Sequence, residues 1–245
     1  MELGQRLKHN EEWEERKKKQ EEQEKFWEEN KFIPFKEEEV NKKIHNIVPT
    51  RFESANKNQI DAKIWNLCEP FFKEEGLYLW GKPGTGKTHL CAALIREYYF
   101  RFPKRRKWYD DDRKYAEYIC PPDPYLITVP DLFFEIKSSF GKKDGEVGWG
   151  DNIRREDMSE SQLINGYSGV EVLFIDDIGT EKTTDWAQQT LYTIIDRRYR
   201  ENLQTVITSN LSLNELSDKT GDRITSRIAE MCKVIELKGK DRRLK

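Results

Sequence analysis

The sequence has no apolar run approaching the roughly 18–20 residues that cross a bilayer, which excludes a helical membrane span. The first twenty residues, MELGQRLKHNEEWEERKKKQ, lack the apolar core of a secretory leader, so a cytoplasmic location is expected. Cysteine is scarce. Cys68, Cys91, Cys120 and Cys232 stand apart with no ligand spacing, which excludes a disulfide framework and a cysteine zinc site. An excess of one charge is missing too. The 43 basic and 45 acidic residues nearly cancel to a net charge of −2, so any contact with nucleic acid must be a local patch on the surface.

What charge there is lies unevenly. Residues 1–43 carry 24 charged side chains, with Glu12–Arg16, Glu14–Lys18, Glu15–Lys19 and Glu21–Lys25 at the favourable acid-before-base i,i+4 spacing. With no proline or glycine between Leu7 and Pro34, the stretch predicts one long exposed helix. We expect a charged N-terminal helical arm over residues 1–48 that docks on a partner protein. From about Val48 the composition becomes that of an ordinary α/β domain, assigned to residues 49–245.

That domain opens on a phosphate motif. Leu77 to Trp80 reads as a short strand, and Gly81-Lys82-Pro83-Gly84-Thr85-Gly86-Lys87-Thr88 matches G-x-x-x-x-G-K-[ST] throughout. A helical stripe of Leu90, Ala93, Leu94 and Tyr98 follows, with His89 in its first turn. The glycines let backbone N–H groups wrap an anion, and the helix adds the positive end of its dipole. Lys87 is expected to reach the β- and γ-phosphates of ATP, with the Thr88 hydroxyl on Mg²⁺.

Downstream, VEVLFIDDIG (170–179) reads as a buried parallel strand delivering carboxylates at its C-terminal edge. Asp176 is placed to hold Mg²⁺, usually through water. Asp177 takes the position of the carboxylate that orients the attacking water, one methylene (about 1.5 Å) shorter than a glutamate. LQTVITSN (203–210) is a third strand, ending in Asn210, whose amide is expected to reach the γ-phosphate or the water. In GDRITSRIAEM (221–231), Arg223 and Arg227 share a helix face beside the apolar stripe of Ile224, Ile228 and Met231.

GKPGTGKTHL, VLFIDDIG, TSN and GDRITSRIAEM, in that order, resemble the AAA+ ATPases of the DnaC/DnaI helicase-loader group, relatives of the IstB transposition helpers. The resemblance covers about residues 49–245 and implies an α/β fold: the P-loop AAA+ three-layer architecture around a central parallel sheet. It further implies head-to-tail self-association with ATP between neighbours and Arg227 as an arginine finger acting in trans, with Arg223 in support. In KGKDRRLK, Arg243 matches the second sensor arginine better than its neighbour Arg242.

The same resemblance implies contacts to single-stranded DNA at Phe140, Thr184 and Trp186. Each has a plainer reading beside it. Leu132, Ile136 and Phe140 sit at i, i+4, i+8 as a core stripe would, and Trp186 falls away from its helix's apolar face, which suits base stacking or packing on a neighbour. RFPKRRKWYDDDRKY (101–115) sets Arg105 and Arg106 beside Trp108, a charge-plus-stacking combination, or else is a solvated insertion. The functional expectation is an ATP-hydrolysing loader of the replicative hexameric helicase. The alternatives are a transposition-helper ATPase on double-stranded DNA and a non-catalytic nucleotide-switched adaptor, which the intact Lys87, Thr88, Asp176 and Asp177 disfavour.

Overall fold

The computed structural model describes residues 32–108, 116–143, 155–180, 184–239 and 241, with side chains described at these except 106–108 and 116–119. The elements begin with β1 (Phe32–Ile33), α1 (Glu37–Ile47), α2 (Ala62–Leu67), β2 (Gly76–Trp80), α3 (Lys87–Arg101), β3 (Lys104–Trp108) and β4 (Ala116–Ile119). They continue with β5 (Tyr125–Thr128), α4 (Val129–Ser138), α5 (Glu160–Gly169), β6 (Val172–Ile178), α6 (Asp185–Arg200), β7 (Gln204–Ser209), α7 (Leu213–Thr220), α8 (Asp222–Met231) and β8 (Cys232–Glu236).

The chain divides into two compact units. In its described residues the larger holds 37–98, 122–143, 155–180, 184–239 and 241, and its centre is a five-stranded sheet of order β5–β6–β7–β2–β8. Every pairing in it is parallel. Val172 to Ile175 are all buried, the continuous apolar run of a strand covered by helices on both faces. This is the α/β architecture expected, a central parallel sheet flanked by helices. β7 lies between β2 and β6, so three C-terminal strand ends converge on one edge: the phosphate loop, the two aspartates and Asn210.

Local chemistry fixes where the flanking helices start. Thr128 caps α4 by accepting from the Asp131 N–H at 3.2 Å, with Pro130 in the first turn where a missing N–H costs nothing. Capping boxes start α5 (Ser159 with Gln162) and α7 (Ser212 with Glu215). Thr184 caps α6 through the Ala187 N–H at 3.2 Å. On α1, Val40 and Ile44 are buried at i,i+4.

The smaller unit, in its described residues, is 32–36, 99–108 and 116–121, and carries an antiparallel sheet of order β1–β3–β4. Arg105 pairs with Phe32 on one side and Ile119 on the other. Two expectations change here. Phe32 and Ile33 are extended where a helix to Pro34 was predicted, because a pairing strand competes for their backbone groups. The 101–115 stretch is in part strand, at Lys104–Trp108, where no apolar alternation announced it. The helix expected over residues 7–31 lies outside the described residues. Among the described residues no helix is long and apolar enough to cross a membrane.

Candidate functional site

Gly81 to Gly86 turn between β2 and α3, and the turn requires glycine at Gly81 and Gly84 among its positions. A Cβ on Gly81 would meet the Leu237 carbonyl oxygen at 2.3 Å. Gly84 has φ +78°, and a Cβ there would meet the Asp241 carboxylate oxygen at 1.8 Å. Lys87, nearly buried, opens α3 and turns its ammonium back into the loop, donating to the carbonyls of Gly81 (2.8 Å) and Lys82 (3.2 Å). It also donates to Asn210 Oδ1 at 2.7 Å.

Asn210 in turn donates from Nδ2 to Asp177 Oδ1 at 2.8 Å. The amide orientation follows from its partners, since a lysine only donates and a carboxylate only accepts. Lys87, Asn210 and Asp177 thus form one chain of polar contacts spanning three strand ends.

Asp176 faces a different pair of groups. The Thr88 hydroxyl donates to its Oδ2 at 2.8 Å and the Thr208 hydroxyl to its Oδ1 at 2.5 Å. Two adjacent strand residues ordinarily point to opposite faces. Here β6 carries a register shift against β7 between Ile175 and Ile178, and Asp177 has φ +65°. This bulge turns both carboxylates to the same end of the sheet. The Thr208 hydroxyl holds it there, accepting from the Asp177 N–H at 2.9 Å.

These groups line a cavity of about 530 Å³, within the usual size range of small-molecule sites. Pro83, Gly84, Gly86, Lys87, Thr88 and His89 make one side, and Asp176, Asp177, Thr208 and Asn210 another. Arg51 and Phe52, with Thr128 and Pro130, complete it. Phe52 stacks on His89 (centroids 6.4 Å apart, planes at 26°), and Gln59 Oε1 lies 2.8 Å from His89 Nε2. Below the loop, Cys91 is buried in α3. Burial pushes its thiol well above the ordinary value, and the Asp176 carboxylate adds to the shift, so it is no nucleophile.

Chemically, the cradle suits a polyphosphate: N–H groups, a helix N-terminus and an ammonium converge on it. The donor set also fits Mg²⁺, which takes oxygen ligands and is held by one or two carboxylates together with substrate phosphates. The Thr88 hydroxyl donates its hydrogen bond to Asp176, which leaves its oxygen lone pairs for a cation. Among the described residues no cluster of three or more His, Cys, Asp or Glu that could hold a metal ion occurs.

Arg227 lies on α8 and does not line this cavity. Its Nε donates to Asp196 on α6 at 2.5 Å, its Nη1 to the Arg223 carbonyl at 2.9 Å and its Nη2 to the Tyr192 hydroxyl at 3.0 Å. Arg223 is exposed. Arg243 lies outside the described residues.

Two of the candidate DNA residues come together. The Phe140 ring meets Trp186 edge-on at 5.6 Å, and the Lys137 ammonium lies 4.8 Å from the Trp186 ring. Trp186 also packs on Phe133 at 5.3 Å and donates to Glu160 at 3.2 Å, so it is half-buried against α4 and α5. Phe140 sits past the end of α4 and is half exposed, unlike the buried Leu132 and Ile136. Thr184 is exposed, its hydroxyl oxygen engaged as the cap of α6. Arg105 is exposed on β3 of the smaller unit, and the side chains of Arg106 and Trp108 lie outside the described residues.

Sequence reasoning missed Thr208, Arg51 and Phe52. Thr208 was findable, since it stands near the C-terminal end of β7, two residues before Asn210. Arg51 and Phe52 belong to an irregular stretch with no periodicity to mark it.

Comparison with known proteins agrees with this geometry. The family model of the IstB-like ATP binding protein matches residues 152–245. The replicative helicase loader DnaC of Escherichia coli (strain K12) is 28% identical over 148 residues, covering 60% of this chain and 47% of that protein. The loader DnaI of Bacillus subtilis (strain 168) is 27% identical over 184 residues, covering 70% and 48%. Over the matched residues the chain is similar to the DnaC/DnaI-type loaders. It spans about half the length of the curated relatives it matches. A crystal structure of the DnaC helicase loader superposes with a TM-score of 0.55 at 23% identity, covering 78% of this chain and all of that one, which supports the α/β fold.

Proposed function

We propose that the protein is an ATP-dependent loader of the replicative hexameric helicase. In this reading it binds single-stranded DNA and hydrolyses ATP at sites between subunits associated head to tail. The observation that carries the enzymatic part is the Lys87–Asn210–Asp177 chain beside the Thr88–Asp176 pair: a phosphate-binding cation, a sensing amide and two carboxylates with separate partners. Helicase loading rests on the kinship with DnaC and DnaI, and with it a cytoplasmic location and the arm of residues 1–48 as the helicase-binding part.

Bound nucleotide phosphates would compete for the Lys87 ammonium, drawing it from Asn210. Released from Lys87, the Asn210 amide still holds Asp177, so the state of the phosphates is felt at the carboxylate that orients water. Thr88 and Asp176 would hold Mg²⁺, which would supply neutralisation of phosphate charge. The other residues position: Phe52 and His89 offer aromatic faces to the base, and Thr208 fixes both aspartates. Phe140, Trp186 and Lys137 offer single-stranded DNA an aromatic pair and a cation.

Two substitutions test the site. Asp176→Asn is expected to raise the Mg²⁺ concentration for half-maximal turnover by about tenfold, read from a magnesium titration of the ATPase rate. Phe52→Ala is expected to weaken nucleotide affinity by about tenfold through lost stacking, measured with a fluorescent ATP analogue.

The whole reading is tested by ATP turnover with and without a single-stranded oligonucleotide, and by co-sedimentation with a replicative helicase. Stimulation by DNA and a stable helicase complex are expected. No turnover in either condition would sink the enzyme reading and favour a nucleotide-switched adaptor. A second reading, a transposition helper, is favoured by the IstB-like match over residues 152–245. Retention of a transposase and duplex DNA in place of the helicase would select it.

A further inference from the structure

The environment of Arg227 goes beyond an exposed charge on a helix. Tyr192, Asp196 and Tyr199 stand at i, i+4 and i+7 on α6, a polar stripe turned toward α8. Between them they hold the guanidinium on several sides. Its carbon lies 4.8 Å from the Tyr192 ring and 5.8 Å from the Tyr199 ring, while Asp196 Oδ1 and the Tyr192 hydroxyl accept from Nε and Nη2. Asp196 is largely covered (13% side-chain exposure), and its second oxygen takes Arg200 at 2.8 Å.

A guanidinium has five N–H groups. Three are committed within the described residues, one on each nitrogen, which leaves one on each terminal nitrogen for an outside acceptor. Two parallel N–H groups are the pattern that grips a phosphate. An unheld arginine would surrender rotamer entropy on reaching across an interface, and fixing it beforehand removes that cost.

We infer that Asp196 and Tyr192 are positioning residues that hold Arg227 ready for a neighbouring subunit's phosphates. The inference rests on the proposed role of Arg227 in inter-subunit hydrolysis and adds the socket that aims it. Removing the Asp196 charge frees Arg227 and leaves two arginines facing each other without their shared counterion. The cavity of the same chain is untouched, since neither residue lines it.

The test uses the full-length protein at concentrations where turnover per chain has reached its plateau. Asp196→Asn is expected to lower kcat by about 10- to 100-fold, with KM and the affinity for a fluorescent ATP analogue unchanged, and Asp196→Glu to recover part of the loss. If Asp196→Asn loses nucleotide affinity as well, Tyr192→Phe decides, since it deletes one hydroxyl and keeps the ring. A fall in its kcat at constant KM supports the socket, and no change overturns it. Turnover that is unchanged or raised in Asp196→Asn, while Arg227→Ala collapses, overturns the positioning role and leaves the enzymatic reading intact. Unchanged turnover in Arg227→Ala overturns both.

Discussion

Replacing Arg227 by alanine is expected to lower steady-state ATP turnover by about 10³-fold or more, while affinity for ATP stays within about twofold of the original. The two expectations follow from one geometric fact. Arg227 does not line the cavity of its own chain, so its loss removes nothing that holds the nucleotide there. An interaction made only in the transition state lowers kcat and leaves ground-state binding alone. The fold should hardly notice. Asp196 keeps Arg200 as a partner, and a partly exposed ion pair contributes at most about 1 kcal/mol. Arg227→Lys is expected to fall between, because an ammonium keeps the charge and loses the planar fork. A coupled ATPase assay beside a thermal melt reads both consequences. Unchanged turnover in Arg227→Ala would return Arg223 and Arg227 to a solvated helix face.

Substituting Arg198 by methionine should cost stability instead, by about 3–5 kcal/mol. Arg198 sits on α6 with no exposed surface, and burial pulls its guanidinium down to about 9, still charged at neutral pH. Backbone oxygen surrounds it. The carbonyls of Tyr167 (3.2 Å), Val170 (2.5 Å) and Gln204 (2.7 Å) accept from its terminal nitrogens, and Thr205 Oγ1 accepts from Nε at 2.9 Å. The Ser168 and Glu171 carbonyls lie at 3.5 Å. Tyr167 and Ser168 belong to the last turn of α5, whose carbonyls lack helical partners and carry the negative end of the dipole. One cation therefore caps α5 and ties the starts of β6 and β7. Methionine fills the volume and leaves these acceptors buried without donors. The melting temperature is expected to drop by about 10 °C, with Arg198→Lys also destabilising because three donors replace five. A melt within about 2 °C of the parent would contradict this.

The phosphate side of the site was legible residue by residue because strand, loop and helix are contiguous, so a local pattern carries their geometry. The aspartates of β6 and Asn210 of β7 were legible for a related reason. In a parallel sheet the C-terminal strand ends meet at one edge, and their order in the chain indicates what meets there. Pairings made only in space were hidden. Arg227 has Glu230 three positions on in its own helix, yet its counterion is Asp196, thirty-one positions away on another helix. In sequence Arg198 is one of several basic residues near a helix end, and nothing local signals its burial. The bulge at Asp177 has no glycine to mark it, since aspartate tolerates positive φ. β3 was hidden because Lys104 to Lys107 are all charged, so no alternation distinguishes its faces. Trp186 falls away from the apolar stripe of α6 in sequence, and the helix pattern could not show that it packs on the core with Phe133, Lys137 and Phe140 around it.

The central claim is that one chain supplies the nucleotide site and its neighbour the arginine. Mixing Lys87→Ala with Arg227→Ala protein in equal amounts tests it directly, because each variant lacks what the other retains. The account predicts two inactive parents and a mixture that regains about one quarter of the unmodified rate, the share of head-to-tail interfaces that random association supplies with both an intact site and an intact arginine. A mixture as inactive as its parents would contradict it.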